Sequence, residues 1–259
     1  MAIHPTAIVD PSAALAEVEI GPYAIIGAGV TLHQGVRVEA HAVVLGPTEV
    51  GPRTVVGHHA VLGGAPQDHK HDGGPTRLLI GSDNVLREYV TAHRGSSAGT
   101  GLTRIGDRNT FMVGSHVAHD CAVGSGCTFA NGVALAGHVV VEDQAVLGGM
   151  AGIHQFARVG RLAMIGAGAM CAQDVPPFLT AWGDRARLRG LNLVGMERAG
   201  LGEAVPAVQA AVARLFARGR PTEVALAEVE ARWGEAPEVA ALLSFLRSAR
   251  RGVCRWAEA

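Results

Sequence analysis

The stretch "IGDRNTFMVGSHVAHDCAVGSGCTFANGVAL", residues Ile105 to Leu135, places an apolar residue at every sixth position. About half of the chain is apolar, so chance gives a run of twelve such positions on the order of once in several thousand trials. An earlier run with the same period extends from Ile20 to Leu62. The twelve positions are Ile105, Phe111, Val117, Val123, Phe129, Leu135, Val141, Leu147, Ile153, Val159, Ile165 and Cys171.

A period of six fits neither the 3.6-residue repeat of an α-helix nor the two-residue repeat of a strand. Glycine often follows the apolar residue, as at Gly106 and Gly124, and the fifth position is mostly small, as at Ser115 and Ala145. A unit of one short strand and one tight turn fits this pattern, because glycine accommodates the turn and the apolar side chain points inward.

The composition of the 259 residues restricts the classes of protein to consider. The chain holds 35 glycines and only 4% aromatic residues, which predicts a core of aliphatic side chains. A net charge of −1 argues against nucleic-acid binding. The absence of a long apolar run or a signal-peptide pattern predicts a cytoplasmic protein without stable membrane insertion. The four cysteines form no CxxC pair, which predicts reduced thiols.

The six-residue rhythm breaks in two places and then stops. Residues 63–78 and 94–104 are rich in Gly, Pro, Ser and Asp, which predicts loops. Beyond "QDVPPF" (Gln173 to Phe178) the apolar spacing becomes helical. The sequence therefore predicts a repeat domain over 1–180 with two loop excursions, and a C-terminal α-helical domain over 181–259.

The hexads resemble those of the hexapeptide-repeat family, which implies a mainly β fold: a left-handed parallel β-helix of triangular section with three hexads per coil. Residues 18 apart would then stack about 4.8 Å apart on adjacent coils. That register places Gly137 over His119, His138 over Asp120, and Gln155 in the next coil. The adjacent His154 belongs to the same cluster.

The stacked residues are suited to acyl transfer to a hydroxyl. Imidazole is a general base near neutral pH, and Asp120 is placed to fix the tautomer of His119. Gly137 has no side chain, so its N–H is free to approach a developing oxyanion. A zinc site of His116, His119 and His138 is the main rival, as in hexapeptide carbonic anhydrases, but it leaves Asp120 and Gly137 without a role. A non-catalytic solenoid is a third possibility.

Several longer blocks resemble one branch of this family more specifically. The blocks "QDHKHDGGPTRL", "REYVTAHRGS", "HVAHDCAVG", "GGMAGIHQFARVG" and "GLNLVGMERAG" are similar to those of the acyl-carrier-protein-dependent UDP-N-acetylglucosamine O-acyltransferases. The resemblance implies a homotrimer with active sites in clefts between adjacent coils. It also implies transfer of a 3-hydroxyacyl chain from acyl carrier protein to the sugar 3-hydroxyl, the first step of lipid A biosynthesis. Neither a metal nor a cofactor is implied, since the carrier thioester is the acyl donor.

Residue roles follow from the resemblance. His119 would be the general base, Asp120 its orienting partner and Gly137 the oxyanion donor. The arginines Arg247, Arg250 and Arg251 are candidate contacts for the acidic carrier protein, with simple solvation as the alternative. A related N-acyltransferase acting on an amino sugar nucleotide is the alternative. The expected substrate-binding residues, among which Ala167 would limit acyl-chain length, are Asp68, Lys70, His93, His116, His138, His154, Gln155, Ala167, Asn192 and Arg198.

Overall fold

The computed structural model describes residues 1–217, 219 and 221–257. Its strands form three sheets, and each sheet takes every third strand of the chain, so that each coil contributes one strand to each side of a prism. All strand pairs within the coil are parallel. The predicted left-handed parallel β-helix is confirmed. We call the three sides faces A, B and C.

The strand bounds follow the hexads closely. Face A contains Ala2–Ile3, Glu19–Ile20, Arg37–Val38, Val55–Val56, Val85–Leu86, Thr110–Phe111, Thr128–Phe129, Val146–Leu147, Met164–Ile165, Leu179–Trp182 and Arg187–Leu191. Face B contains Ile8–Val9, Ile25–Ile26, Val43–Val44, Val61–Gly64, Thr91–His93, His116–Val117, Ala134–Leu135, Gly152–Ile153 and Met170–Cys171. Face C contains Ala14–Leu15, Val30–Leu32, Thr48–Val50, Arg77–Ile80, Leu102–Ile105, Ala122–Val123, Val140–Val141 and Arg158–Val159.

The register in the second half of the coil is the predicted 18 residues. His116 pairs with Ala134, Ala134 with Gly152, and Gly152 with Met170. The sixth-position residues fill the interior, where Phe111, Leu135 and Leu147 are fully buried. Because these side chains stack in columns, a shift of register by one residue would expose the entire core.

The turns between faces place polar residues at the edges of the prism. The second residue of a turn adopts a left-handed backbone conformation even when it is not glycine: φ is 59° at Asp120, 62° at His138 and 64° at Phe156. This conformation is uncommon for residues with a β-carbon, and the ladders of adjacent coils hold it in place. The side chains of successive turns therefore form columns along each edge.

Both loop excursions leave the coil at the edge between faces B and C. The first lies between the strands Val61–Gly64 and Arg77–Ile80, and the second between Thr91–His93 and Leu102–Ile105. The turn that contains His119 and Asp120 joins the same two faces one coil further on. We call this the B–C edge.

The sheet continues past residue 180 before the helices begin. The strand Leu179–Trp182 pairs in parallel with Met164–Ile165 and antiparallel with Arg187–Leu191. The helices are α1 (Leu193–Arg198), α2 (Val205–Leu215), α3 (Glu223–Trp233) and α4 (Pro237–Arg247), with a 3₁₀ turn at Gly202–Ala204. That 181–259 forms a domain of its own stays a prediction. Within the described residues, no helix is long and apolar enough to cross a membrane.

Candidate active site

The turn at His119 and Asp120 is the centre of the candidate site. His119 Nδ1 lies 2.8 Å from Asp120 Oδ2, and both residues are buried. Asp120 also accepts hydrogen bonds from the loop 94–101: Ser96 donates from N and Oγ at 3.0 and 2.8 Å, Thr100 from N and Oγ1 at 2.8 and 2.9 Å, and Gly101 from N at 3.1 Å. The loop therefore encloses the carboxylate.

These donors determine the charge of Asp120. Burial raises the pKa of this carboxyl, but hydrogen bonds from His119, Ser96 and Thr100 lower it more, so the pKa is about 2. Asp120 is thus ionised at neutral pH and acts only as an acceptor. We assign the His119 proton to Nδ1, since it must donate to this carboxylate, which leaves the Nε2 lone pair available as a base.

Gly137 lies directly above the imidazole, as the stacking rule predicts. A β-carbon at this position would lie 2.5 Å from His119 Cε1 and 2.6 Å from Nε2, so the ring occupies the space of any side chain. The N–H of the first turn residue lies outside the strand ladder. In some turns a side chain accepts a hydrogen bond from it, as Asp143 Oδ1 does from Ser125 N at 2.7 Å. Among the described residues, nothing accepts a hydrogen bond from Gly137 N–H.

Three further histidines surround His119. His138 makes an edge-to-face contact with it at 5.1 Å, stacks on Phe156 at 4.4 Å, and places Nε2 3.9 Å from Asp120 Oδ2. His116 Nδ1 lies 2.7 Å from Thr91 Oγ1, and the ring of His93 meets His116 edge-on at 5.0 Å. Burial lowers the pKa of His93, His116 and His138, so these rings are neutral at neutral pH.

A cleft of about 830 Å³ extends from His119 along face B. Its floor is formed by residues with small side chains, such as Ala134 and Gly152, and Met170 lies over Gly152, with Sδ 2.6 Å from the position of a β-carbon there. Arg185 and Arg187 line the opposite end. The cleft therefore joins a base and a free amide to an apolar groove.

The structure brings most of the predicted site residues to the B–C edge. His116, Gln155 and His154 line the cleft with His119 and Gly137. Asp68 and Lys70 lie in the loop 65–76, where Lys70 N donates to Asp68 Oδ1 at 3.0 Å. That hydrogen bond, with smaller contributions from Ser96, His119 and Lys70, lowers the pKa of Asp68.

Three predicted residues lie elsewhere in this chain. Ala167 is exposed in a turn between faces A and B, so it lies at a different edge from His119. Asn192 caps α1 by accepting from Gly195 N at 3.0 Å and donates to Leu162 O at 2.9 Å, and Arg198 is exposed at the end of that helix. A single chain thus does not place these residues in the cleft.

Ser96, Thr100 and Met170 were not predicted as site residues from the sequence. Ser96 and Thr100 lie in a segment whose Gly-Ser composition predicts only a loop, 24 and 20 residues before Asp120. Their hydroxyl groups are suited to donate hydrogen bonds to a carboxylate, which is the signal the sequence contains. However, the loop has no repeat from which their position opposite Asp120 could be read. Met170 precedes the inward Cys171, and its outward position on face B follows from the strand alternation.

The donors around Asp120 also bear on the zinc alternative. Ligand atoms of His119, Asp120 and His138 lie within 4.8 Å of one another, and this group does not include His116. However, Asp120 accepts hydrogen bonds on both oxygens, and His119 Nδ1 is bound to it. A metal bound to Asp120 would have to displace these contacts, so this carboxylate fits an acid–base pair better than a zinc ligand.

The half-buried His116 leads to a prediction about pH and stability. Burial lowers its pKa from 6.5 to about 4, so between these values the unfolded chain takes up a proton that the folded chain does not. Stability must therefore fall as the pH drops through this window, by up to about 3 kcal/mol from this residue. We expect His116→Gln to weaken the decrease, as measured by urea unfolding at pH 7.5 and pH 5. Equal decreases in the variant and the wild type would contradict the assignment.

Comparison with known proteins determines the family. A family model described as UDP N-acetylglucosamine O-acyltransferase, domain 2, matches residues 174–254. The acyl-[acyl-carrier-protein]–UDP-N-acetylglucosamine O-acyltransferase of Thermodesulfovibrio yellowstonii is 45% identical over 255 residues, which cover 98% of this chain and 99% of the relative. The enzyme of the same name from Syntrophobacter fumaroxidans is 44% identical, and the match covers 98% of this chain and 100% of the relative.

The chain belongs to the UDP-N-acetylglucosamine O-acyltransferase family. Solved structures of UDP-N-acetylglucosamine O-acyltransferases agree over the whole fold. A crystal structure of a UDP-N-acetylglucosamine acyltransferase has a TM-score of 0.95, 38% identity and full coverage of both chains. The structure of LpxA from Acinetobacter baumannii has a TM-score of 0.95 and 39% identity, and covers 98% of this chain and 99% of that one. The family resemblance read from the sequence blocks is confirmed.

Proposed function

We propose that this protein transfers a 3-hydroxyacyl chain from acyl carrier protein to the 3-hydroxyl of UDP-N-acetylglucosamine, the first step of lipid A biosynthesis. The relatives named above are acyl-carrier-protein-dependent O-acyltransferases of this sugar nucleotide. The observation that supports the proposal best is the His119 ring, with Nδ1 held by Asp120 and Nε2 beneath Gly137.

The proposed chemistry needs only groups of the chain and the two substrates. His119 Nε2 removes the proton from the sugar hydroxyl as its oxygen attacks the thioester carbonyl. The negative oxygen that forms accepts a hydrogen bond from Gly137 N–H, and Asp120 stabilises the imidazolium. Collapse of the tetrahedral intermediate breaks the C–S bond, and the thiolate takes the proton from His119. No cofactor is required, because the thioester supplies the activated acyl group.

The shape of the cleft is suited to the acyl chain. Ala134 and Gly152 leave a shallow groove on face B, and Leu135 and Ile153 also line it. Gly152 lies two coils beyond His116. Met170 covers Gly152 and therefore narrows the groove at that point. An apolar chain buried there gains about 0.8 kcal/mol for each methylene group.

Product analysis tests the proposed reaction. Incubation of the purified protein with UDP-N-acetylglucosamine and a mixture of 3-hydroxyacyl carrier proteins is expected to give a sugar nucleotide whose mass increases by one hydroxyacyl group. Fragmentation is expected to place an ester at the sugar 3-position. A 3-amino analogue of the sugar nucleotide serves as the competing acceptor. An amide product formed faster from that analogue would favour the N-acyltransferase alternative.

We further propose that the protein is a homotrimer. The outward residues of face B are uncharged, whereas face A has Glu19 and Arg37 and face C has Arg104 and Arg158. An uncharged sheet face with exposed apolar side chains is typical of an interface between subunits. Cyclic symmetry brings different surfaces of adjacent chains together. This assembly would explain how Ala167, Asn192 and Arg198 bind substrate, because a neighbouring chain would supply them.

Mixing of two inactive variants tests this arrangement. If His119 and Arg198 of one site come from different chains, co-assembled His119→Ala and Arg198→Ala chains contain some intact sites. Random assembly predicts that about a quarter of the sites are intact, so the mixture is expected to recover a comparable fraction of the wild-type rate. The control is a mixture of His119→Ala chains with Asp120→Asn chains. Because His119 and Asp120 of one site come from the same chain, every site in this mixture carries one of the two changes, and the mixture is expected to recover no activity. Equal rates in the two mixtures would contradict a shared site.

A further inference from the structure

Two buried cysteines meet at the end of the cleft. Cys171 follows Met170 on the last strand of face B, and Cys254 lies in the C-terminal segment after α4. Both thiols are free, both line the cleft that contains His119, and the two thiol groups interact with each other. The proposed transfer reaction uses neither of them.

The C-terminal segment is held against the last coil by backbone hydrogen bonds. Asp174 pairs in parallel with Val253, Cys254 N donates to Asp174 O at 2.9 Å, and Leu188 pairs with Trp256. Cys254 Sγ also lies 3.5 Å from Gln173 O. These contacts hold Cys254 against Gln173 and Asp174, the second and third residues after Cys171.

The other two cysteines differ in their partners. Cys121 Sγ donates to Ala136 O at 3.1 Å, and Cys127 Sγ donates to Glu142 O at 3.3 Å. Both have carbonyl partners on an adjacent turn of the coil. Neither lines the cleft. Cys121 and Cys127 therefore serve as internal controls for the reactivity of Cys171 and Cys254.

We propose that Cys171 and Cys254 form a redox-active dithiol site, which a peroxide converts into a disulfide that ties the C-terminal segment to the last coil. One thiolate attacks the peroxide and becomes a sulfenic acid, with release of water or alcohol. The second thiol then displaces water from that sulfur. Two thiols and one hydrogen peroxide thus give one disulfide and two waters.

The interaction between the thiols favours Cys254 as the attacking group. It lowers the pKa of Cys254 and raises the pKa of Cys171. Burial instead raises the pKa of Cys121 and Cys127 to about 12, so these thiols remain protonated. A thiolate is the reactive form of cysteine, so peroxide is expected to react first at Cys254.

Peptide mapping of the full chain tests the proposal. The protein is treated with hydrogen peroxide, then unfolded, alkylated and digested without reductant. We expect a peptide pair joined through Cys171 and Cys254, while Cys121 and Cys127 are alkylated. The melting temperature of the oxidised protein is expected to rise by several degrees, because the cross-link restricts the unfolded chain, and dithiothreitol is expected to reverse the increase.

Single substitutions provide the decisive comparison. Cys171→Ser and Cys254→Ser are each expected to abolish the linked peptide and the reversible increase in melting temperature, whereas Cys127→Ser retains both. Recovery of four alkylated cysteines from the treated wild type would overturn the proposal. So would sulfinic acid at Cys254 as the main product, or a disulfide that joins two chains. Transfer activity is not needed as a readout, so the result does not depend on the proposed function.

Discussion

Replacement of His119 by alanine is expected to lower the rate of acyl transfer by a factor of about 10² to 10⁴, the usual contribution of a general base. The imidazole is the group whose Nε2 faces the cleft while Asp120 fixes its other nitrogen. Alanine leaves Gly137 N–H in place, so binding of both substrates should change much less than turnover. The measurement is the initial rate at several concentrations of each substrate.

His58 provides the matched control for this substitution. Like His119, it is the first residue of a turn. Unlike His119, it is exposed and lies at the edge between faces A and B. His58→Ala is expected to retain the wild-type rate. Light scattering should show the same assembly for both variants. A His119→Ala rate within tenfold of the wild type would show that another group is the base.

Replacement of Gly137 by alanine is expected to be nearly as severe for turnover. The added methyl group would lie 2.5 Å from His119 Cε1, well inside van der Waals contact, so either the ring or the turn must move. In the proposed reaction, displacement by about 1 Å would separate Nε2 from the attacking hydroxyl and move the amide proposed to bind the oxyanion, and such misplacement costs on the order of 10²-fold. The turnover number should fall while the fold is retained.

Gly149 tests whether this effect is specific to the site. It is also the first residue of a turn, and a β-carbon there meets only Asn131 O at 3.5 Å, an ordinary contact. Gly149→Ala is therefore expected to leave both turnover and stability close to the wild type. If Gly137→Ala were equally harmless, the amide above His119 would have no part in the reaction.

Sequence periodicity, together with the three hexads per coil that the family resemblance implies, was sufficient to predict the coil and the central pair of the site. The sixth-position residues fix which side chains point inward, and a constant repeat turns positions 18 apart into neighbours. His119 and Gly137 were placed together in this way, and Asp120 follows as the next residue. The stacking of His138 on Phe156 follows from the same rule.

Other features depended on parts of the chain without a period. The contacts of Ser96 and Thr100 with Asp120 arise because both excursions leave at the B–C edge and fold back along it. Arg247 was expected to contact the carrier protein, but its two hydrogen bonds to Glu230, at 2.7 and 2.6 Å, engage its guanidinium within the helical region. Which arginines meet the carrier protein stays a prediction.

The amino-acid sequence by itself determined the unit of one short strand and one tight turn, because a six-residue repeat fixes which side chains point inward. With the three hexads per coil that the family resemblance implies, it also determined the register and the stack of His119 beneath Gly137. Only the tertiary structure decided what surrounds that stack. The loop around Asp120, the edge on which Ala167 lies and the meeting of Cys171 with Cys254 depend on long-range packing of segments that have no repeat. The coil fixes where those segments begin and end, but its repeat does not determine how they pack.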